Sequence, residues 1–243
     1  INPTTLAVRD DGRVFVSSGD GIYSLFIEPS TGQHVDLKKF SDTSTATGLH
    51  FYDGRLLVAS NGITLAMFDK DGDDRADSQQ VIVEGLPGRK YSYHSNNGLL
   101  VDSQDRLLMT VGGTSDHGPE SYELGGTIVM TTPDGGVPEV WSRGLRNPYG
   151  IAECPNGDLY VNDNGPDQVE GLSGVNFPTN NQLLYFASDE VNRILQGRNY
   201  GYPTTFGFPG PGDSTEAPVA LLPERAGSAG VECYSSESFP IEY

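Results

Sequence analysis

Apolar residues along the chain alternate with polar ones instead of recurring at helical spacing. Leu6-Ala7-Val8, the turn Asp10-Asp11-Gly12 and Val14-Phe15-Val16 form one unit. Gly48-Leu49-His50-Phe51-Tyr52, Asp53-Gly54 and Arg55-Leu56-Leu57-Val58 repeat it. Gly98 to Met109 is a third copy and Gly150 to Val161 a fourth. Each reads as a hairpin of two period-2 strands around a turn that tolerates positive φ. A further strand is expected after each hairpin: Gly21–Ile27, Thr64–Phe68, Thr127–Thr131 and Gln182–Phe186. Gly230-Val231-Glu232-Cys233-Tyr234 opens a fifth copy. Asp189–Gln196 is expected to make one helical turn at most, and nothing else carries a helical period.

Copies starting roughly 40–50 residues apart are the spacing of four-stranded propeller blades. The fold class expected is therefore an all-β β-propeller, read as one domain over residues 1–243. Four blades and one strand would leave an open edge, which closed folds avoid. An incomplete C-terminus, or blades supplied by a second chain or another copy, is the matching expectation. A first residue Ile1 in place of Met fits a processed or trimmed chain.

Composition agrees with this reading. Gly 31 and Pro 16 in 243 residues favour short strands and tight turns. A formal net charge of −18 makes nucleic acid and anionic membrane surfaces poor partners. It suits either a secreted calcium binder or plain solubility. No apolar run approaches the ~20 residues of a membrane span. Cys154 and Cys233 permit one disulfide, or are two small core residues.

Three stretches carry candidate chemistry. Asp69, Asp71, Asp73 and Asp77 follow the ligand rhythm of a calcium loop, but Gln80 stands where the bidentate carboxylate belongs. The plain alternative is a solvated acidic turn between blades. His94 precedes an innermost strand, at the rim where propeller pockets form, and its imidazole can take a proton near neutral pH. His50, inside a strand, and His117, in a Gly/Pro/Ser-rich loop, are weaker candidates. Arg146 and Asn147 enter the next innermost strand at the same rim, and Gly165-Pro166 offers turn carbonyls to a cation.

In order, Arg146-Asn147-Pro148-x-Gly150, Asp163-Asn164-Gly165-Pro166, Asp189-Glu190-Val191-Asn192 and Asn199-Tyr200-Gly201-Tyr202-Pro203 resemble the soluble quinoprotein sugar dehydrogenases that act on glucose or sorbosone with pyrroloquinoline quinone (PQQ). His94 ahead of Gly98-Leu99, Pro133-Asp134-Gly135-Gly136-Val137-Pro138 and Phe239-Pro240-x-x-Tyr243 are similar to the same family. The resemblance implies a six-bladed propeller, of which this chain would hold about four and a half blades. It implies His94 as catalytic base, Arg146, Asn147 and Asn164 as PQQ contacts, and the Gly165 and Pro166 carbonyls as ligands of the calcium that polarises PQQ. Glu190 and Tyr200 would match a second, structural calcium. The implied partners are a small sugar and an electron acceptor, in an extracellular or periplasmic setting.

The chain also departs from that pattern. Asp163-Asn164 replaces Glu-Gln, and Gly113 stands where the acid supporting the histidine belongs, with Asp116 the nearest substitute. An insertion from Gln168 to Ser188 separates motifs that are nearly contiguous in the glucose enzymes. These departures keep two rivals in view: a non-catalytic extracellular propeller serving as a binding or structural module, and a calcium-dependent lactonase-like propeller.

Overall fold

The computed structural model describes residues 3–89, 93–167, 188–224 and 226–235. Every regular element among them is a β-strand. The first antiparallel sheet holds β1 (Thr5–Val8), β2 (Val14–Ser18), β3 (Gly21–Ile27) and β4 (His34–Ser41). The second holds β5 (Ala46–Tyr52), β6 (Arg55–Ser60), β7 (Ile63–Phe68) and β8 (Ser78–Val83). β9 (Asn96–Val101), β10 (Leu107–Val111), β11 (Thr127–Thr132) and β12 (Gly135–Arg143) make the third, and β13 (Pro148–Glu153), β14 (Leu159–Asp163), β15 (Ser188–Ile194) and β16 (Ala220–Glu224) the fourth. Strand order follows chain order in each, so each sheet is a four-stranded meander: a propeller blade.

All four expected hairpins form in the expected place. Tyr52 pairs with Arg55 across Asp53 and Gly54, both at positive φ, the turn whose twist matches the strands it joins. Val101 pairs with Leu107, and Glu153 with Leu159. In the fourth blade the third strand is Ser188–Ile194, which corrects the expectation of a helical turn at Asp189–Gln196. Its register runs the length of β14, from Leu159↔Ile194 to Asp163↔Glu190, so ladder pairing decides the conformation. The strand expected at Gln182–Phe186 lies outside the described residues.

Apolar residues fill the spaces between successive blades. Phe15 meets Phe40 edge-on at 5.0 Å and stacks on Phe51 at 5.5 Å, joining blades one and two. Leu57, Leu99, Leu107 and Met109 lie between blades two and three, and Leu108, Ile128, Leu159 and Val161 between three and four. Fully burying each such side chain is worth about 1.5–3 kcal/mol.

The innermost strands β1, β5, β9 and β13 lie side by side around the axis, where backbones approach closely. A Cβ on Gly48 would collide with the Asn97 carbonyl and lie 3.0 Å from the Gly98 Cα. One on Gly98 would collide with the Tyr149 carbonyl and lie 3.3 Å from the Gly150 Cα. One on Gly150 would lie 2.9 Å from the Gly230 Cα and 2.8 Å from the Val231 nitrogen. The stretch read as a fifth copy therefore sits beside β13 as β13 sits beside β9, although its described residues form no ladder.

Gly98→Ala should accordingly cost about 1–3 kcal/mol or more in chemical unfolding, through overpacking of backbone. Gly230→Ala meets nothing within 4 Å and should stay within about 0.5 kcal/mol of wild type.

Candidate active site at one rim of the propeller

Each blade's first strand leaves the same rim to which the second strand returns. That rim gathers the approach to β9 (His94), the β10–β11 loop (Gly112 to Gly126), the approach to β13 (Arg146, Asn147) and the β14–β15 loop (Asn164 to Asp167). Two of the three candidate stretches thus meet in space.

His94 is partly buried, with the Tyr93 ring edge-on at 4.7 Å. Its Nδ1 lies 3.0 Å from the Gly113 carbonyl oxygen. A carbonyl only accepts, so Nδ1 carries the proton and the Nε2 lone pair is the basic position. Burial, with the Arg146 charge nearby, pushes the imidazolium pKa down to about 4. Asp116, expected as a substitute for the missing acid, does not take that part: it receives Arg146 Nη2, His117 Nδ1 at 2.7 Å and the Asp167 N–H at 2.9 Å. Burial alone would raise Asp116, and those donors instead hold it near 2.

The Arg146 side chain is 3% exposed. Nε donates to the Asp116 carbonyl at 2.8 Å and Nη1 to the Asn164 carbonyl at 3.0 Å, while Nη2 also reaches Asp167 at 3.4 Å. Arg146, expected to contact PQQ, is held within the rim by these partners. Asn147 and His94 both close on Gly112: a Cβ there would lie 2.8 Å from Asn147 Oδ1 and would clash with the His94 Cβ. Asn97 donates to Asn147 Oδ1 at 2.9 Å. Asn164 packs back on Asn147, its Nδ2 3.3 Å from the Asn147 carbonyl.

Asp163 accepts the N–H groups of Arg146 and Asn147 at 2.9 and 2.7 Å, closing the entry to β13. Asp189 accepts the Gly165 N–H at 3.1 Å. Glu190 takes the Gly207 N–H at 2.7 Å and Asn192 Nδ2 at 3.1 Å. Glu190 and Tyr200 line one cavity of about 10 Å³ together with Asp163, Asn164 and Gly165. That is room for a single water-sized occupant. Burial raises Glu190 to about 8, with the Asp163 carboxylate adding to it, and raises Asp163 to about 6.

The Gly165 and Pro166 carbonyls accept no hydrogen bond from the described residues, and crowded carboxylates around a one-atom cavity suit a hard cation. The acidic loop lies elsewhere, correcting the expectation of a turn between blades: Asp69–Asp77 joins β7 to β8 within the second blade, at the opposite rim. There Asp69, Asp71 and Asp77 bring carboxylate oxygens within 4.8 Å of one another, without Asp73, which accepts the Arg75 N–H. Asp74 turns inward to Arg9, Arg13 and Lys38 of the first blade. His50 stays in β5, away from the rim.

Asp189, Asn97 and Ser228 belong to this site and were not singled out from the sequence. Ser228 donates its N–H to Asp189 at 2.9 Å and accepts Asn162 Nδ2 at its carbonyl. The usable signal was repeat phase: Ser228 precedes Gly230 as Pro148 precedes Gly150.

Glu190→Gln tests the cavity electrostatics. With its folded pKa raised from 4.5 to about 8, Glu190 favours folding fully below pH 4.5, and that contribution is lost as pH rises through 8. Metal-free wild type should therefore lose stability between pH 5 and 8.5 in denaturant titrations, and Glu190→Gln should flatten that slope.

The chain matches the model of the family described as Glucose / Sorbosone dehydrogenase over residues 51–240. It is 25% identical over 190 residues to an aldose sugar dehydrogenase of Escherichia coli, covering 66% of this chain and 46% of the relative. It is 24% identical over 159 residues to quinoprotein glucose dehydrogenase B of Acinetobacter calcoaceticus, covering 52% and 29%. The chain thus spans less than half the length of these curated relatives. Among solved structures, the PQQ-bound aldose sugar dehydrogenase of Streptomyces coelicolor matches with a TM-score of 0.70 at 22% identity, over 95% of this chain and 71% of that one. The apo soluble aldose sugar dehydrogenase of E. coli matches with a TM-score of 0.71 at 20% identity, over 98% and 77%. With most of its length matched and its rim motifs gathered on a propeller, the chain belongs to the glucose/sorbosone dehydrogenase family.

Proposed function

We propose that this propeller serves a calcium- and PQQ-dependent oxidoreductase that oxidises a sugar hydroxyl or aldehyde, with His94 as the base. The observation that carries the reading is the Nδ1–Gly113 carbonyl bond, which fixes the tautomer and leaves Nε2 as proton acceptor. The names of similar proteins support it, one a quinoprotein, one solved with PQQ and one, from Trichoderma reesei, solved with calcium.

PQQ, when bound, supplies the two-electron acceptor that takes hydride from the sugar carbon. The chain's own residues do the rest. Nε2 of His94 takes the hydroxyl proton, and the low pKa keeps the ring neutral and ready across the neutral range. The Gly165 and Pro166 carbonyls would hold calcium, with Asn147 and Asn164 lining the cofactor's side of the rim. Arg146 acts through the Asn164 carbonyl it fixes and through its charge. Glu190 and Tyr200 would hold a second, structural cation. The Cys154–Cys233 disulfide, with Cα atoms 5.2 Å apart, supports an extracellular or periplasmic setting.

His94→Gln should lower dye-linked sugar oxidation by roughly 10²–10⁴-fold in protein reconstituted with PQQ and calcium. Absence of turnover by wild type, with no calcium-dependent PQQ binding in calorimetry, would leave the non-catalytic propeller as the reading. The pH profile is a separate check. A base must be unprotonated, so kcat/KM should hold level from pH 7 to 5 and fall as pH drops through about 4. A profile whose acid limb is unchanged in His94→Gln would mean that His94 is not the base.

A further inference from the structure

We propose that Ser228 and Asp189 form a positioning clamp for the Gly165-Pro166 turn, held in place by the Cys154–Cys233 disulfide. The inference rests on the reading of that turn as a cation ligand set. Asp189, 1% exposed, has one carboxylate oxygen on the Gly165 N–H and the other on the Ser228 N–H, so it ties the turn to the segment after β16. Arg146 holds the Asn164 carbonyl, at the other end of the same peptide plane. The plane between Asn164 and Gly165 is thereby fixed from both sides. The Gly165 carbonyl lies in the next plane, where the proline that follows restricts the Gly165 backbone and the ring locks the φ of Pro166 itself.

Ser228 is itself seated by repeated geometry. Two residues before the glycines of the axial series stand Ala46, Asn96, Pro148 and Ser228. The Ala46 and Asn96 carbonyls each accept a hydroxyl from the preceding blade, from Ser17 at 3.1 Å and Thr47 at 2.7 Å. The Ser228 carbonyl accepts Asn162 Nδ2 at 2.5 Å in the equivalent place, and Asn162 Oδ1 accepts the Gly150 N–H at 2.9 Å. Ser228 Oγ accepts the same amide at 3.0 Å and reaches Asn164 Oδ1 at 3.5 Å. The blade that carries the turn therefore receives part of its support from the strand position beside it.

Unlike β1 to β16, the described residues from 226 to 235 form no ladder. Their covalent anchor is Cys233, bonded to Cys154 in the β13–β14 turn at the opposite rim. Five residues of extended chain reach at most about 17 Å, so the bridge limits how far Ser228 can move from the fourth blade.

Calcium titration by calorimetry, amide exchange at Gly165 and thermal unfolding, done in parallel on the full chain, test the clamp. Asp189→Asn keeps the shape but turns an amide donor toward one of the two N–H groups. In that variant, and in wild type with the disulfide reduced, calcium should bind roughly 10–100-fold more weakly. The Gly165 amide should exchange faster in both. A purely structural part would lower the unfolding midpoint and leave calcium affinity and Gly165 exchange unchanged, and that result overturns the proposal. If Asp189→Asn fails to fold, the reduced protein decides, together with Ser228→Ala, which removes only the Oγ contacts and should speed Gly165 exchange more mildly. If wild type binds no calcium, the ligand reading of the turn fails. Gly165 exchange on reduction then decides the clamp alone, unchanged exchange overturning it.

Discussion

Close approach of the innermost strands at the axis is the constraint on which the rest depends. At Gly48, Gly98 and Gly150 the neighbouring backbone occupies the space a Cβ would need. Glycine there lets each blade sit near enough to donate a hydroxyl to a carbonyl of the next blade's innermost strand, as Thr47 does to Asn96 and Thr110 to Tyr149. Those contacts fix the relative height of the blades. The apolar layers between sheets then pack in one register, since sliding a strand by one residue would turn its core face outward.

Fixed height brings four loops to one rim, where carboxylates organise the backbone. Asp163 captures the N–H groups of Arg146 and Asn147, Asp189 those of Gly165 and Ser228, and Asp116 that of Asp167. Loop N–H groups left unpaired in such a setting would each cost about 1–3 kcal/mol. With the donors turned onto buried carboxylates, the turn carbonyls of Gly165 and Pro166 remain for an outside partner. Burial raises Glu190 and Asp163, with neighbouring carboxylates adding to it, and a cation is the natural complement of the cavity they share with Tyr200.

Strand alternation made the blades legible in advance, because each hairpin carries its own turn chemistry, such as Asp53-Gly54. The rim candidates His94, Arg146, Asn147 and Asn164 were legible through motif order. Contacts across blades were not. Asp189 stood out only as a motif neighbour of Glu190, at the start of a stretch expected to make one helical turn at most. Only pairing with β14 shows which face of the strand turns inward. Arg146 looked like a fork open to a ligand. Its actual partners, Asp116 and Asp167, come from loops whose course no local pattern encodes.

The absence of an acid beside His94 has a steric cause. A Cβ at Gly113 would lie 2.6 Å from Glu120 Oε1, 2.9 Å from the Arg146 carbonyl and 3.2 Å from Tyr202 Cε1. The β10–β11 loop and Tyr202, whose hydroxyl donates to the Ser115 carbonyl at 3.0 Å, occupy the volume an aspartate would need. The Gly113 carbonyl orients the imidazole as a carboxylate would, fixing the same tautomer. It offers a dipole and not a full charge, so it stabilises the imidazolium too little to offset burial and Arg146. Asp116 and Asp167 raise the histidine only through space, against burial and the opposing charge of Arg146. A base of this kind is well aimed and weak. In the proposed reaction, proton removal by His94 would depend on the electron demand at the sugar carbon, which would tie its usefulness to a strong hydride acceptor bound at the same rim.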